Sequence, residues 1–263
     1  MKVKLSISLI ALCAVFIGTM ILHYHVSPSD LLSLSFYQNL ANPSVRIVQI
    51  GAGQRQEQVA LTLSTQLGWN TTQQKEFANA HLALGLPSLE GYYFPKTYLI
   101  NKNSDPVDVS KMMVAEFNTQ TKNIKVSKAV KIVNQNTILK IASIIQREAA
   151  GPKDMSLISG IIWNRIFKGM KLQLDATVQY AVGTTTNWWP MITPTDVKVD
   201  SPYNTYQTTN LPPTPISNAS LAAIAAAANP QATSCLFYIH DKNRVIHCSA
   251  TYQGQLNNIA KYY

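Results

Sequence analysis

Glu148 is the position on which chemistry converges. In the stretch Asn136–Ala150, NTILKIASIIQREAA, the apolar residues Ile138, Ile141, Ala142, Ile145 and Ala149 recur at helical spacing, and Glu148 falls on the same face. Desolvation disfavours the charged form of a lone carboxylate on an apolar stripe, so its pKa should rise. A carboxyl group still protonated near neutral pH is what general acid catalysis requires. The other reading of the same position is a helix-end glutamate paired with Arg147 or Arg165. Carboxylates are scarce in this chain: Lys and Arg number 22 against 13 Asp and Glu, a net charge of +9. Each structured carboxylate therefore carries more information than usual.

The elements around Glu148 follow from periodicity and stop signals. The spacing predicts helices over 57–68, 72–83, 107–119, 136–150 and 154–168, the last two stopped by Gly151-Pro152 and Gly169. A short helix is expected over 175–182 and an alanine-rich one over 217–228. VRIVQI (45–50) reads as a strand, EGYYFPKTYLI (90–100) as aromatic-rich with Pro95 breaking regular structure, and 183–216 as largely irregular. Helices and strands mix without regular alternation, which predicts an α+β fold. Gly51 and Gly53 form a GxG lacking the third glycine of a dinucleotide fingerprint. With 46 % hydrophobic residues the chain can bury a core, which excludes a disordered protein; nothing repeats at a solenoid period.

The N-terminus sets the expected compartment. Lys2 and Lys4 precede an uncharged run, LSISLIALCAVFIGTMIL, from Leu5 to Leu22. A run of this length spans the ~30 Å hydrocarbon core as a helix. The charge bias then places the remainder on the extracytoplasmic side of the inner membrane. The competing reading is a cleaved signal peptide, for which the run is long and lacks a small-x-small site. Residues 1–25 are thus expected to be a cytoplasmic start and single-pass anchor, 26–44 a linker, and 45–263 one folded domain with an N-terminal lobe (45–100) and a core (101–263).

Cys235 and Cys248 flank CLFYIHDKNRVIHC, which reads as two β-runs around a turn at Asp241–Arg244. A hairpin disulfide fits an exported domain and would stabilise it by roughly 3 kcal/mol. Zinc held by Cys235, His240, His247 and Cys248 matches no closed-site spacing, so no metal is expected. Cys13 falls inside the apolar run. The basic charge suits an anionic polymer or lipid surface, or no specific partner; nucleic acid is not expected outside the cytoplasm.

Five ordered blocks carry a family resemblance: EGYYFPKTY (90–98), ASIIQREA (142–149), IIWNRIFKGMKLQLDATVQYAVG (161–183), SPYNTYQTTNLPPTPI (201–216) and AAANPQATSCLFYI (226–239). Over roughly 45–263 the chain resembles the endolytic murein transglycosylases, the MltG/YceG-like proteins, whose pattern reads EGxxFPDTY, ASIIEKEx, NRLxxGMxLQxDPTVxYA and YNTYxxxGLPPGPI. The resemblance implies a membrane-anchored lyase that cuts peptidoglycan glycan strands internally without a cofactor. The family's catalytic acid, the second Glu of ASIIEKE, matches Glu148. Cell-wall synthases are the candidate protein partners.

The same blocks suggest supporting residues. Gln173, Asp175 and Thr177 match LQxDxT and are candidates for bonds to sugar hydroxyls or N-acetyl groups; Asp175 reads equally as a helix N-cap. Tyr203, Asn204 and Thr205 match YNTY: Tyr203 and Tyr206 suit stacking on sugars, Asn204 suits orienting the acid or a substrate amide, and Asx-type turns offer a purely structural account. Glu90 either faces the cleft or serves the fold. The departures are Lys96 for the family's aspartate, Gln146 for its first glutamate, Ala176 for its proline, and no LysM-like segment ahead of Val45. Two functions remain open on sequence alone: the transglycosylase, and a non-catalytic glycan-binding scaffold for synthases. A water-using muramidase is a third, and would need a second carboxylate such as Asp175 near Glu148.

Overall fold

The computed structural model describes residues 2–130 and 134–262; Met1, 131–133 and Tyr263, at the margins of the expected segments, lie outside them. The chain runs α1 (Lys2–Leu22), α2 (Pro28–Leu31), α3 (Leu34–Leu40), β1 (Val45–Gln49), α4 (Gln56–Leu67), α5 (Thr71–Ala78), α6 (Ala80–Ala83) and β2 (Thr97–Asn101). It continues with α7 (Pro106–Thr121), α8 (Gln135–Glu148), α9 (Pro152–Phe167), α10 (Asp175–Val182), α11 (Leu221–Ala228), β3 (Phe237–His240), β4 (Ile246–Ser249) and α12 (Tyr252–Tyr262). Helices dominate and the strands form two separate antiparallel ribbons, β1–β2 and β3–β4. The mixed architecture agrees with the α+β expectation.

Two apolar clusters organise the molecule. In the first, β1 pairs with β2 from Val45 opposite Asn101 to Gln49 opposite Thr97. Val48 and Ile100 bury their side chains against Val59 and Leu63 of α4, Phe77 of α5 and Met113 of α7. The second cluster surrounds α8. Its residues Ile138, Leu139, Ile141, Ala142, Ile144 and Ile145 are all buried, so the stripe is wide enough for α9, α10 and α11 to pack on it. Asn134 caps its start, accepting the Thr137 N–H at 2.8 Å. Alanines let α11 lie close: Ala223, Ala226, Ala227 and Ala228 are buried, and the Trp163 indole of α9 donates to the Ala227 carbonyl at 2.9 Å.

Several expectations need correction. The segment 26–44, expected as a linker, contains two short helices, α2 and α3. Its Ser and Pro residues begin helices: the Ser27 hydroxyl accepts the Asp30 N–H at 3.2 Å and Pro28 occupies the first turn of α2. Leu31 and Phe36 then bury with Met20 and Val26, with Ile47 and Leu99 of the first ribbon packed against them. Lys96 joins this junction, 3.4 Å from Asp30 and 3.2 Å from Glu116, so the lysine in the family's aspartate position works as a cationic bridge here. The single helix expected over 72–83 is two, α5 and α6, because Asn79 caps the end of the first. At the N-terminus a helix does occupy Lys2–Leu22. Among the described residues, however, no helix is long and apolar enough to cross a membrane, so the anchor stands on the sequence and not on the observed fold.

The C-terminal ribbon matches the expected hairpin. Tyr238 lies opposite Cys248 in its register, and Cys235 is bonded to Cys248 with the Cα atoms 5.8 Å apart, inside the normal disulfide range. His240 sits 3.2 Å from Asp154 and His247 3.0 Å from Asp241, so each imidazole faces a carboxylate. Gly160 lets the incoming chain run against α9: a Cβ there would stand 2.2 Å from the Gln231 carbonyl oxygen. Replacing both Cys235 and Cys248 by serine should destabilise the protein by ~3 kcal/mol. Thermal unfolding should show that loss, and adding reductant should then have no further effect on the variant.

Candidate active site

Glu148 is the last residue of α8, where the apolar stripe meets a cavity of about 520 Å³. Gln173, Asp175 and Tyr206 line this cavity with Glu148, as do Arg165 and Tyr238. One carboxylate oxygen of Glu148, Oε1, accepts the Ala176 N–H at 3.1 Å; the other, Oε2, accepts the Tyr238 hydroxyl at 2.8 Å. The first donor comes from the first turn of α10, where backbone N–H groups have no partner within the helix. The second comes from β3.

Burial dominates the electrostatics and raises the Glu148 pKa above its ordinary value; the Asp175 charge adds to the rise. The two hydrogen bonds and His240 oppose it by favouring the ionised form. The helix-end ion pair does not form. Arg147 stacks its guanidinium 3.9 Å from the Trp189 ring centre, and Arg165 turns to backbone carbonyls. What remains is a carboxyl held by neutral donors at a cavity wall, a suitable state for an acid that must lose and regain one proton.

Three elements hold these groups in place. Arg165 donates from Nε to the Leu236 carbonyl at 2.6 Å and from Nη1 to that of Leu172 at 2.6 Å, and it lies 3.3 Å from Gln173 Oε1. Its neighbour Asn164 donates to the Thr233 and Cys235 carbonyls at 2.8 and 3.0 Å. One turn of α9 therefore ties the 172–173 segment to the strand bearing Tyr238. Gln173 has a positive φ of 52°, unfavourable for a residue with a side chain. Its backbone N–H donates to the Thr205 carbonyl at 3.1 Å, which holds the residue in that conformation.

The remaining sequence candidates divide. Gln173 and Asp175 are exposed in the cavity. Asp175 does not cap α10: Leu174 is the cap residue, and the Asp175 carboxylate accepts the Tyr206 hydroxyl. Thr177 and Thr205 are fully buried, their hydroxyls 2.8 Å apart, and Thr205 also accepts the Leu174 N–H at 3.0 Å. They support the loop and do not line the cavity. Asn204 is buried too, donating to the Val197 and Val199 carbonyls, so its side chain reaches neither Glu148 nor the cavity. Tyr203 packs 4.7 Å from the Tyr180 ring centre and pairs its hydroxyl with Thr214, outside the cavity lining. The Gly51–Gly53 loop is held by Asn218, whose amide donates to the Gly51 carbonyl at 2.9 Å and whose backbone carbonyl accepts the Gly53 N–H at 2.8 Å. Gln146 accepts the Ser220 N–H at 3.0 Å and so braces the start of α11. Tyr238 was missed as a partner of the acid. Its only sequence signal was membership of the AAANPQATSCLFYI block, because the bond to Glu148 spans ninety residues of chain.

Glu90 does not line this cavity. It is 4 % exposed and accepts the Gln56 N–H at the start of α4, the Gly91 N–H and the Tyr180 hydroxyl at 3.1–3.2 Å. Burial pushes its pKa up to about 8, with the Glu57 charge adding to the rise and the donors opposing it. Its folded value exceeds the unfolded value of 4.5, so the unfolded chain gives up the proton first. The stability Glu90 contributes is complete below about pH 4.5 and is lost as pH rises toward 8. Unfolding followed from pH 5 to 8 should show a decline, and Glu90→Gln should flatten it. At pH 6.5, Glu148→Gln should lower any glycan-cleaving activity by at least ~10²-fold while leaving the melting temperature near that of the parent.

Comparison with known proteins places these features in a family. The YceG-like family model matches residues 17–261. A protein of Bacillus subtilis named endolytic murein transglycosylase is 36 % identical over 156 residues, 59 % of this chain and 42 % of its own length. A Streptococcus pneumoniae protein of the same name is 31 % identical over 155 residues, 58 % of this chain and 28 % of its own length. The chain thus matches less than half the length of these curated relatives. The crystal structure of a YceG-like protein from Listeria monocytogenes superposes with a TM-score of 0.65 at 26 % identity, covering 80 % of this chain and 74 % of that one. With nearly its whole length matched by the family model, the chain belongs to the YceG-like family.

Proposed function

We infer that this protein is a lytic transglycosylase that cuts peptidoglycan glycan strands internally, with Glu148 as general acid and then general base. The observation that carries this reading is a half-buried carboxyl, raised in pKa and without an ion pair among the described residues, at the wall of a cavity lined by polar and aromatic side chains. The relatives named endolytic murein transglycosylase support the same reaction class.

The reaction needs one carboxyl group. Glu148 protonates the glycosidic oxygen between MurNAc and GlcNAc, the C1–O bond breaks, and positive charge develops at C1. The sugar's own 6-hydroxyl closes on C1 and returns its proton to Glu148, leaving a 1,6-anhydroMurNAc end. Ordinary glycosidases use a second carboxylate to activate water or to form an ester. Here the neighbouring Asp175 is engaged by Tyr206, and its place in the scheme is to face sugar hydroxyls together with Gln173.

Acting on nascent strands, such an enzyme would serve as a glycan-strand terminase working beside cell-wall synthases. That setting calls for a chain held at the inner membrane with residues beyond α1 outside the cytoplasm. The support is the uncharged run Leu5–Leu22 behind Lys2 and Lys4, together with the disulfide, which suits an oxidising compartment.

The test is to incubate the full chain in detergent with un-crosslinked glycan strands and read product masses. Internal fragments lacking one water per cut, and absent with Glu148→Gln, are expected. Fragments with water added would make the protein a hydrolase with Asp175 as second carboxylate. Strands that bind but stay intact would make it a scaffold.

A further inference from the structure

Glu148 has two hydrogen-bond donors of different kinds, and the difference assigns a task to each oxygen. The Ala176 N–H is fixed backbone and can only donate, so Oε1 remains an acceptor in every protonation state. The proton of the neutral acid therefore sits on Oε2. That oxygen faces a hydroxyl, Tyr238, which rotates and can either donate or accept.

We propose that, with the Ala176 N–H already fixing Oε2 as the proton-delivering atom, Tyr238 is a positioning residue that stabilises the carboxylate formed there as that proton leaves. The proposal rests on the transglycosylase reading and adds to it a residue and an order of events. As the proton passes from Oε2 to the glycosidic oxygen, the electron pair of the broken O–H bond stays on Oε2 and negative charge grows there. The Tyr238 hydroxyl, 2.8 Å away, then donates to it. When the 6-hydroxyl oxygen bonds to C1, its proton returns to Oε2 and the tyrosine gives way. A donor whose bond strengthens only as charge develops lowers the barrier without tightening substrate binding.

The fold gives Tyr238 little freedom to do anything else. Its strand is held by Arg165 and Asn164 on one side, its backbone carbonyl accepts the Gln255 amide at 3.1 Å, and the residue opposite it in the ribbon is the disulfide-bonded Cys248. Other titratable groups lie near Glu148 on the neighbouring elements: Arg147 on α8, Arg165 on α9, Asp175 on α10, Tyr206 on the following loop, His240 on β3 with Asp154 of α9 behind it, and Tyr252 on α12. None of these groups has a side-chain hydrogen bond to the Glu148 carboxylate; among the described residues Tyr238 alone does.

The experiment reads the Glu148 titration directly, in the full chain without substrate, by carbon NMR of carboxyl-labelled glutamate. The chain has five glutamates, and the resonance lost in Glu148→Gln identifies the right one, keeping it apart from the high-titrating Glu90. Tyr238→Phe should move the Glu148 midpoint up by about one pH unit, because a hydrogen bond that favours the charged form is gone. The alkaline limb of the kcat profile should move with it, kcat should fall about tenfold and KM should hold. Incorporating 3-fluorotyrosine at position 238, a stronger donor of nearly the same shape, should move the midpoint down, and it decides the matter if Tyr238→Phe does not fold. A midpoint unmoved by either change overturns the role of Tyr238. A parent protein that leaves glycan intact overturns the transglycosylase reading, and the titration still reports on the tyrosine.

Discussion

The structure is organised around keeping one carboxyl group partly out of water without an ionic partner. Burial of a carboxylate is costly unless its oxygens are hydrogen-bonded, and an ion pair would depress the pKa that an acid needs. Glu148 meets both demands with two neutral donors that come from different parts of the chain, the Ala176 N–H and the Tyr238 hydroxyl. To bring them together, the first turn of α10 and strand β3 must converge on the end of α8. The packing of α9 and α11 on α8, the disulfide ribbon and the 172–174 segment all contribute to that convergence.

Arg165 illustrates how a charged residue can serve this arrangement without touching the acid. Arg165 is 8 % exposed, and its guanidinium bonds the carbonyls of Lys171, Leu172 and Leu236. Rigid, forked donors suit this role, since a single lysine ammonium could not reach the same spread of acceptors in fixed directions. Two arginines near Glu148 are thus turned to other partners, Arg147 to Trp189 and Arg165 to backbone. The cavity keeps positive side chains nearby without neutralising the acid.

A second buried carboxyl, Glu90, follows the same physics with a different outcome. It sits at the start of α4 among N–H donors and the Tyr180 hydroxyl. It joins the start of α4 to α10 and does not line the Glu148 cavity. Burial, donors and a raised pKa are therefore common to an acid at a cavity and to a strut within the fold. Access to the cavity is what distinguishes them. The same criterion separates Gln173 and Asp175, which face open space, from Thr177, Asn204 and Thr205, whose polar atoms are consumed by the loops they hold.

The sequence by itself determined the local elements and the special standing of Glu148. Helical periodicity, the Gly151-Pro152 stop and the alanine run are encoded within a few residues, and the ends of α4, α7, α8, α9 and α10 fall within about two residues of where those signals put them. The amphipathic stripe also lies within one helix, so a carboxylate on it was visible without tertiary knowledge. Some cues have two structural uses: Ser, Asn and Pro between 26 and 44 read as a linker, and Ser27 and Pro28 start a helix within it. Only the tertiary structure decided which polar residues face the cavity. Neither the Tyr238 bond to Glu148 nor the burial of Asn204 beneath its own loop has a local signature. Both depend on where distant segments pack, and packing is set by the whole apolar surface of the chain, whereas secondary structure is set by its near neighbours.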